Sequence, residues 1–167
     1  LLHFMRLPKG KSSFELDSYD LAILKLLQQD NAVPQRAIGE AVNLSAAAVQ
    51  RRITRLQQSG VIERNVAVLN PARVGQPITL IVAVEIESER LDLLEASKAS
   101  FLAAEEVQQC YYVTGDTDFI LVITVQNMLA YEQLTRRLFF ENHNIKHFKT
   151  FVAMDRIKTS THLALPE

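Results

Sequence analysis

Apolar residues recur at three- and four-residue spacing through the first third of the chain, and this spacing predicts helices. The first predicted helix spans Leu16–Gln29. The residues that recur at this spacing are Leu16, Tyr19, Ile23, Leu26 and Leu27. Asp17 and Asp20 fall in its first turn, where carboxylates interact favourably with the helix dipole.

Two further helices follow closely. Gln35–Val42 begins after Pro34, and its apolar side is predicted from Ala37, Ile38 and Ala41. Ala46–Ser59 begins after Ser45, a good N-cap residue, and ends before Gly60. The turn between them is Asn43-Leu44-Ser45, and helix, helix, three-residue turn, helix is the helix-turn-helix pattern.

The stretch after the third helix predicts a small hairpin and then a domain boundary. Val61-Ile62 and Val66–Leu69 are the two predicted strands of the hairpin. Gly75 and two prolines break the stretch from 71 to 77. We therefore expect a flexible tail (1–14), a helix-turn-helix DNA-binding domain (15–70), a linker (71–77) and a second domain (78–167).

Strand and helix patterns alternate through the second domain. The predicted strands are Thr79–Glu87, Val107–Val113, Phe119–Val125 and Ile145–Met154, and the predicted helices are Arg90–Ala104 and Met128–Phe140. The inward stripes are predicted from Leu91, Leu94, Phe101 and Leu102 in one helix and from Leu134 and Leu138 in the other. The order βαββαβ predicts a ferredoxin-like antiparallel sheet with both helices on one face, which makes the whole chain α+β. The opposite face of the sheet is then expected to be covered, most simply by a second copy of the chain.

Charge separates the two halves. Residues 1–70 contain nine Lys/Arg and six Asp/Glu, whereas residues 71–167 contain nine and thirteen, for a net charge of −1. A basic first half and an acidic second half indicate two different tasks, with nucleic acid as the partner of the first.

Several function classes find little support. The only cysteine, Cys110, lies in an apolar strand and is expected to be a buried, inert thiol, which fits a reducing cytoplasm. We expect no membrane span and no signal peptide, since Leu1–Met5 is too short for one. His143 and His147 have no third ligand nearby, so no metal is expected. We expect no cofactor, no catalytic residue and no enzyme activity, because no nucleophile–base constellation or phosphate-cradling loop is visible.

The third helix carries the candidate DNA-reading residues. Stepping 100° per residue places Val49, Ile53 and Leu56 on the core side. Ser45, Ala47, Gln50, Arg51 and Arg55 are predicted to face the major groove, and Arg36, Arg52 and Arg64 are predicted to contact the DNA backbone. Gln can pair with adenine and Arg with guanine. The alternative is a face that merely keeps the helix soluble.

The turn Gly115-Asp116-Thr117-Asp118 also has two interpretations. It suits a plain tight turn, because Gly and Asp favour turns. It also suits a small polar pocket, where backbone N–H groups hold a carboxylate and an Asp holds an amine, as an amino acid ligand would require.

Four segments in order resemble one known family. They are LDSYDLAILKLLQQD (16–30), LSAAAVQRRITRLQQSGVI (44–62), YYVTGDTDFILVI (111–123) and FKTFVAMDRIK (148–158). Together they resemble the Lrp/AsnC family of bacterial and archaeal transcriptional regulators, from about residue 16 to residue 165. The resemblance implies a winged helix-turn-helix followed by a ligand-binding and oligomerisation domain.

The resemblance also implies partners. Such proteins bind double-stranded DNA, pair through the open sheet faces of their C-terminal domains, and assemble from homodimers into octamers. An amino acid often binds between dimers near the glycine-aspartate loop, although the family includes members with no known effector. Carried over, the implied effector residues are Thr114, Gly115, Asp116 and Asp118, with Thr150 added from the last strand.

Two other functions remain as alternatives at this point. A βαββαβ module can act as the amino-acid sensor of a regulated enzyme, which steady turnover by the purified chain would reveal. The same strand order can also bind RNA, which requires aromatic and basic residues on the open sheet face. The acidic second half and the uncharged strand Phe119–Val125 favour the DNA-binding regulator.

Overall fold

The computed structural model describes residues 15–166, so the tail predicted for residues 1–14 lies outside the described residues. The chain divides into two units. The first runs through Ala67 and also contains the segment from Thr159 onward, and the second is Val68–Lys158. The return of the C-terminal segment to the first unit was not predicted.

One side chain fastens that segment to the first helix. The side-chain nitrogen of Gln28 donates to the Leu163 carbonyl at 3.1 Å, and the Leu163 N–H donates to the Gln28 side-chain oxygen at 2.7 Å. The first unit is therefore built from two separate stretches of chain.

The first unit contains the predicted helices, α1 (Ser18–Gln29), α2 (Gln35–Val42) and α3 (Ala46–Gln58). A capping box between Asp17 and Asp20 begins α1, which is why the helix starts two residues later than predicted. Asn43 ends α2 in the left-handed conformation, with φ at 57°. The Ser45 hydroxyl accepts the Ala48 N–H at 3.2 Å and so caps α3 as expected.

These helices pack around a small apolar core. Ile23, Ile38, Val42 and Val49 are buried together, and Leu56 is fully buried as well. Three predicted core positions are wrong: Tyr19, Ala37 and Ala41 are exposed. The buried side of α2 is instead Ile38, Gly39 and Val42, so the two alanines lie on its solvent side.

The hairpin predicted over Val61-Ile62 and Val66–Leu69 is wrong, because residues 61–70 contain no strand. The Ile62 N–H donates to the Leu56 carbonyl at 3.1 Å and extends the turn that ends α3. The valines and leucine at 66, 68 and 69 are exposed. A two-stranded hairpin with no third strand or apolar partner is marginal in water. The predicted linker contains a short 3-10 helix, Pro71–Val74, capped by Asn70.

The second unit is the predicted βαββαβ domain. Its elements are β1 (Ile78–Ile86), α4 (Leu91–Ala103), β2 (Val107–Tyr112), β3 (Phe119–Val125), α5 (Met128–Thr135) with a π-helical extension (Arg136–Phe140), and β4 (Ile145–Val152). The strand order is β2-β3-β1-β4, and every neighbouring pair is antiparallel. This is the ferredoxin-like arrangement, and the α+β prediction is confirmed.

The core of this unit lies between one face of the sheet and the helices. Leu80, Val82 and Val84 of β1 alternate with half-exposed residues, and they pack with Phe101 and Leu134. The inward position of Leu134 and Leu138 is confirmed. The stripe predicted on α4 is half wrong, because Leu91 and Leu102 are 73% and 80% exposed. The buried side of α4 is Leu94, Ser97 and Phe101, at the spacing of one helical face.

No helix within residues 15–166 is both long and apolar enough to cross a membrane.

Candidate nucleic-acid interface and ligand loop

The outer face of α3 is the candidate nucleic-acid interface. Val49 and Leu56 are fully buried and fix which side of α3 points away from the core. Ser45, Ala47, Gln50 and Arg51 are all exposed on the other side, as predicted from the helical spacing. Small side chains at the start of α3 leave its N-terminal end open to close approach.

Gln50 is held in place by two other side chains. Its side-chain nitrogen donates to the Thr54 hydroxyl at 3.2 Å, and its side-chain oxygen accepts a hydrogen bond from the amide of Gln35 on α2. These contacts use one donor and one acceptor site of the amide, and its second N–H and second oxygen lone pair remain for pairing with a base edge.

The predicted cations differ in how they are engaged. Within residues 15–166, Arg51 is exposed and takes part in no ion pair. Arg36 pairs with Glu40 at 3.0 Å, but both side chains are largely exposed, so this bridge holds Arg36 only weakly. Arg64 is exposed in the extended segment after α3. These arginines can therefore reach a phosphate at little cost.

Arg52 and Arg55 are engaged much more firmly. Arg52 Nη1 lies 2.7 Å from Asp17 Oδ2 and 2.8 Å from Asp20 Oδ1, and Arg55 Nη2 lies 2.5 Å from Asp20 Oδ2. The Arg52 guanidinium also lies over the ring of Tyr19, 5.3 Å from its centroid. We call Asp17, Asp20, Arg52 and Arg55 the α1–α3 ion cluster.

The electrostatics of this cluster follow from its contacts. The Asp20 N–H, and after it Arg52, hold the pKa of the Asp17 carboxyl below its ordinary value. Asp17 and then Asp20 raise the pKa of the Arg52 guanidinium. The sequence did carry a signal for this cluster: Asp20 lies three residues before Ile23 on the apolar side of α1. A carboxylate buried there must be paired.

The candidate ligand loop joins β2 to β3. Its tip, Thr114, Gly115 and Asp116, is exposed, and Gly115 adopts φ 132°, which favours glycine. The Asp118 carboxylate accepts the Ile86 N–H at 2.7 Å, and the Thr117 hydroxyl donates to the Val84 carbonyl at 2.8 Å. The loop is thus anchored to β1, and its tip is left open.

The structure does not group Thr150 with the loop. Thr150 lies on β4 opposite Val82, and its hydroxyl contacts that of Tyr131 on α5. In the strand order, β1 separates β4 from the β2–β3 loop. A ligand held by the loop tip and one held by Thr150 would therefore contact opposite sides of β1.

Other chemically interesting residues are placed as follows. Cys110 is half-buried rather than buried as expected, and its burial raises the pKa of the thiol. Tyr112 packs against Phe119, with ring centroids 5.0 Å apart. Within residues 15–166, no three His, Cys, Asp or Glu side chains come together as a metal site would need.

Comparison with known proteins agrees with this architecture. A family model described as a winged helix-turn-helix DNA-binding domain matches residues 16–63, and the Lrp/AsnC ligand binding domain matches residues 79–163. An uncharacterized HTH-type transcriptional regulator from Sinorhizobium fredii is 47% identical over 148 residues, which is 89% of this chain and 88% of the relative.

Two solved structures are similar in fold and sequence. An AsnC family transcriptional regulator from Agrobacterium tumefaciens superposes with a TM-score of 0.84 at 30% identity, covering 89% of this chain and 97% of the other. A transcriptional regulator from Neisseria meningitidis, solved in complex with L-Met, gives 0.84 at 27% identity, covering 90% and 97%. The chain belongs to the Lrp/AsnC family, as a transcriptional regulator with a helix-turn-helix DNA-binding domain and a family ligand-binding domain.

Proposed function

We propose that the chain reads specific DNA sequences with the outer face of α3 and responds to an amino acid bound by its C-terminal domain. The observation that carries the proposal is the exposed set Ser45, Ala47, Gln50 and Arg51 on a helix whose other side buries Val49 and Leu56 completely. Double-stranded DNA is the partner that fits such a face, since a major groove admits one α-helix.

The roles on α3 follow from side-chain chemistry. Gln50 and Arg51 would read base edges, while Ala47 keeps the helix close and Ser45 caps its entering end. Arg36 and Arg64 would contact phosphates on either side, because both are exposed cations. Arg52 and Arg55, also predicted to contact DNA, are bound in the α1–α3 ion cluster, and their role is considered separately below.

Fluorescence anisotropy on a duplex from the gene's own upstream region, against a scrambled duplex, tests the DNA-reading role. Arg51→Ala should weaken specific binding by about 1–3 kcal/mol, or about 5- to 150-fold. Arg90→Ala removes an exposed arginine from the second unit and is the matched control, which should bind like the wild type. Equal losses in both variants, or none in Arg51→Ala, would show that this face of α3 does not read DNA.

The effector proposal is supported by the loop and by one relative. The exposed tip at Thr114, Gly115 and Asp116 offers backbone N–H groups and a carboxylate, which complement the two charged ends of an amino acid. Asp118 shapes the loop through the Ile86 N–H. The similar regulator from Neisseria meningitidis was solved with L-Met, which supports the same ligand class here.

Calorimetric titration with each of the twenty amino acids tests this sensor. At least one should bind, and Asp116→Ala should abolish the heat while Asp155→Ala, an exposed carboxylate elsewhere, preserves it. If no amino acid binds while the wild type still binds DNA, the regulator stands and the sensor is rejected.

We further propose that the chain assembles as a homodimer and higher oligomers up to an octamer. The face of the sheet opposite the helices is partly apolar and open to solvent: Ile81 and Val122 on it are half-buried, and Phe151 is exposed. A second copy would cover these side chains. Light scattering coupled to size-exclusion chromatography should give a dimer or a multiple of it, and a monomer at micromolar concentration would contradict this.

A further inference from the structure

We propose that Asp20 is a specificity-determining residue, whose buried carboxylate holds Arg52 and Arg55 away from the phosphate backbone. Arg51 is then the α3 arginine that contacts DNA. This inference rests on the proposed DNA-reading role of α3. It adds a charge-masking residue on α1, a helix that the proposed contacts do not include.

Both carboxylate oxygens of Asp20 are engaged by hydrogen-bond donors. Oδ1 accepts from Arg52 at 2.8 Å, and Oδ2 accepts from Arg55 at 2.5 Å and from the Asp17 N–H at 3.2 Å. Both arginines come from α3, one turn apart, so a single carboxylate on α1 binds the same flank of α3 at two points.

Because Asp20 is buried, separating its carboxylate from its arginine partners is costly. The Asp20 side chain is 0% exposed, and that of Arg52 is only 24% exposed. Withdrawing its arginine partners would leave a buried, uncompensated negative charge, which proteins avoid at considerable cost. The exposed pair of Arg36 and Glu40 has no such cost and can exchange its partner for a phosphate freely.

The charge balance shows what the masking achieves. Residues 15–67 contain six Lys/Arg and six Asp/Glu, and the surplus of three cations in residues 1–70 comes from Arg6, Lys9 and Lys11. The α1–α3 ion cluster is neutral in itself, with two carboxylates against two guanidiniums. The flank of α3 therefore carries two arginines whose charges are balanced within the cluster, although the side chain of Arg55 is itself 48% exposed.

The consequence concerns discrimination between sequences. Binding to any duplex grows with the number of cations that reach phosphates, and it adds nothing to the choice of sequence. Two masked arginines lower this general affinity, while Gln50 and Arg51 keep their access to base edges. Asp20 thereby raises the ratio of specific to non-specific binding.

The experiment measures binding of the full chain to a random-sequence duplex between 50 and 200 mM salt. Each phosphate contact contributes a slope of about −0.9 to log K against log salt. Asp20→Asn, which keeps the shape but removes the charge, should steepen the slope by about 0.9 for each arginine released, or up to about 1.8 for both. Over this fourfold salt range the added salt sensitivity is about 3.5-fold for each arginine.

Asp30→Asn is the matched control. It makes the same substitution with the same change in net charge, but Asp30 accepts only the Ala32 N–H at 2.9 Å in the structure and contacts neither arginine. Its slope should equal that of the wild type. If Asp20→Asn and Asp30→Asn shift the slope equally, or Asp20→Asn shifts it not at all, masking is refuted, whereas a wild type that binds no duplex refutes the DNA-reading role as well.

A second pair of variants decides the matter even if Asp20→Asn fails to fold. In the otherwise unchanged chain, Arg64→Gln, which removes a proposed phosphate contact, should make the slope shallower by about 0.9, whereas Arg55→Gln should leave it unchanged. A loss of about 0.9 in Arg55→Gln would mean that Arg55 leaves Asp20 for a phosphate, and the proposal would be wrong.

Discussion

Gly39 is the point at which α2 and the turn of the helix-turn-helix come into contact. The Leu44 N–H donates to the Gly39 carbonyl at 2.9 Å, so the turn folds directly back over the end of α2. A Cβ at position 39 would lie less than 3.0 Å from the Leu44 carbonyl oxygen, a distance that real Cβ atoms essentially never show. The atom in the way is backbone, so it cannot be relieved by a change of rotamer.

The expected cost of Gly39→Ala combines two opposing effects. Forcing a methyl group into a packed site costs about 1–3 kcal/mol. Alanine in a helix interior returns about 0.5–1 kcal/mol relative to glycine. We expect a net loss of about 1–2 kcal/mol in the free energy of unfolding of the first unit, together with a displaced N-terminal end of α3.

Urea unfolding followed by circular dichroism measures this loss, and anisotropy on a specific duplex measures the displacement. With a slope of about 2 kcal/mol per molar urea, the midpoint should fall by roughly 0.5–1 M. Glu40→Ala, at an exposed neighbouring position, is the control and should stay within about 0.5 kcal/mol of the wild type. A Gly39→Ala chain as stable as the wild type, with unchanged DNA affinity, would refute the steric argument.

Three further predictions address other parts of the molecule. Phe101→Ala should cost about 3–5 kcal/mol in thermal unfolding because it empties a fully buried site, whereas Leu102→Ala, at an exposed neighbour, should cost under about 0.5 kcal/mol. Cys110, whose thiol pKa is raised by burial, should react with iodoacetamide at pH 8 more slowly than glutathione and faster in urea; equal rates in the folded chain would contradict this. The lowered pKa of Asp17 stabilises the fold above the unfolded value of 3.8, and this contribution is lost as the pH falls through the folded pKa. The stability difference between the wild type and Asp17→Asn should therefore shrink below about pH 4, and a constant difference would contradict a lowered Asp17 pKa, which the Asp20 N–H and then Arg52 produce.

The elements with strong local signals were predictable to within a residue or two. Ser45 caps α3 through its own hydroxyl, and β3 is apolar except for Thr124, so both were found from neighbours in the sequence alone. The hairpin after α3 was predicted wrongly. Val66 and Val68 are β-branched and so favour strands, but a strand forms only where a partner strand is available to pair with it. Leu91 and Leu102 were wrongly predicted to face the core. Apolar residues are common on protein surfaces, and spacing alone does not reveal which face of α4 is buried.

The candidate DNA-reading site also has features that the sequence predicts and features that only the structure reveals. The exposure of Gln50 and Arg51 follows from the helical period once Val49 and Leu56 are known to be buried, and that period is visible in the sequence. The pairing of Arg52 and Arg55 with Asp20 depends on how α1 crosses α3, and spacing within one helix contains no information on that crossing. The helical period assigns Arg51 and Arg55 alike to the groove-facing side, and only a carboxylate 35 residues from Arg55 distinguishes them. Long-range burial of an opposite charge is thus what separates an arginine available to DNA from one held within the fold, and it has to be read from three-dimensional structure.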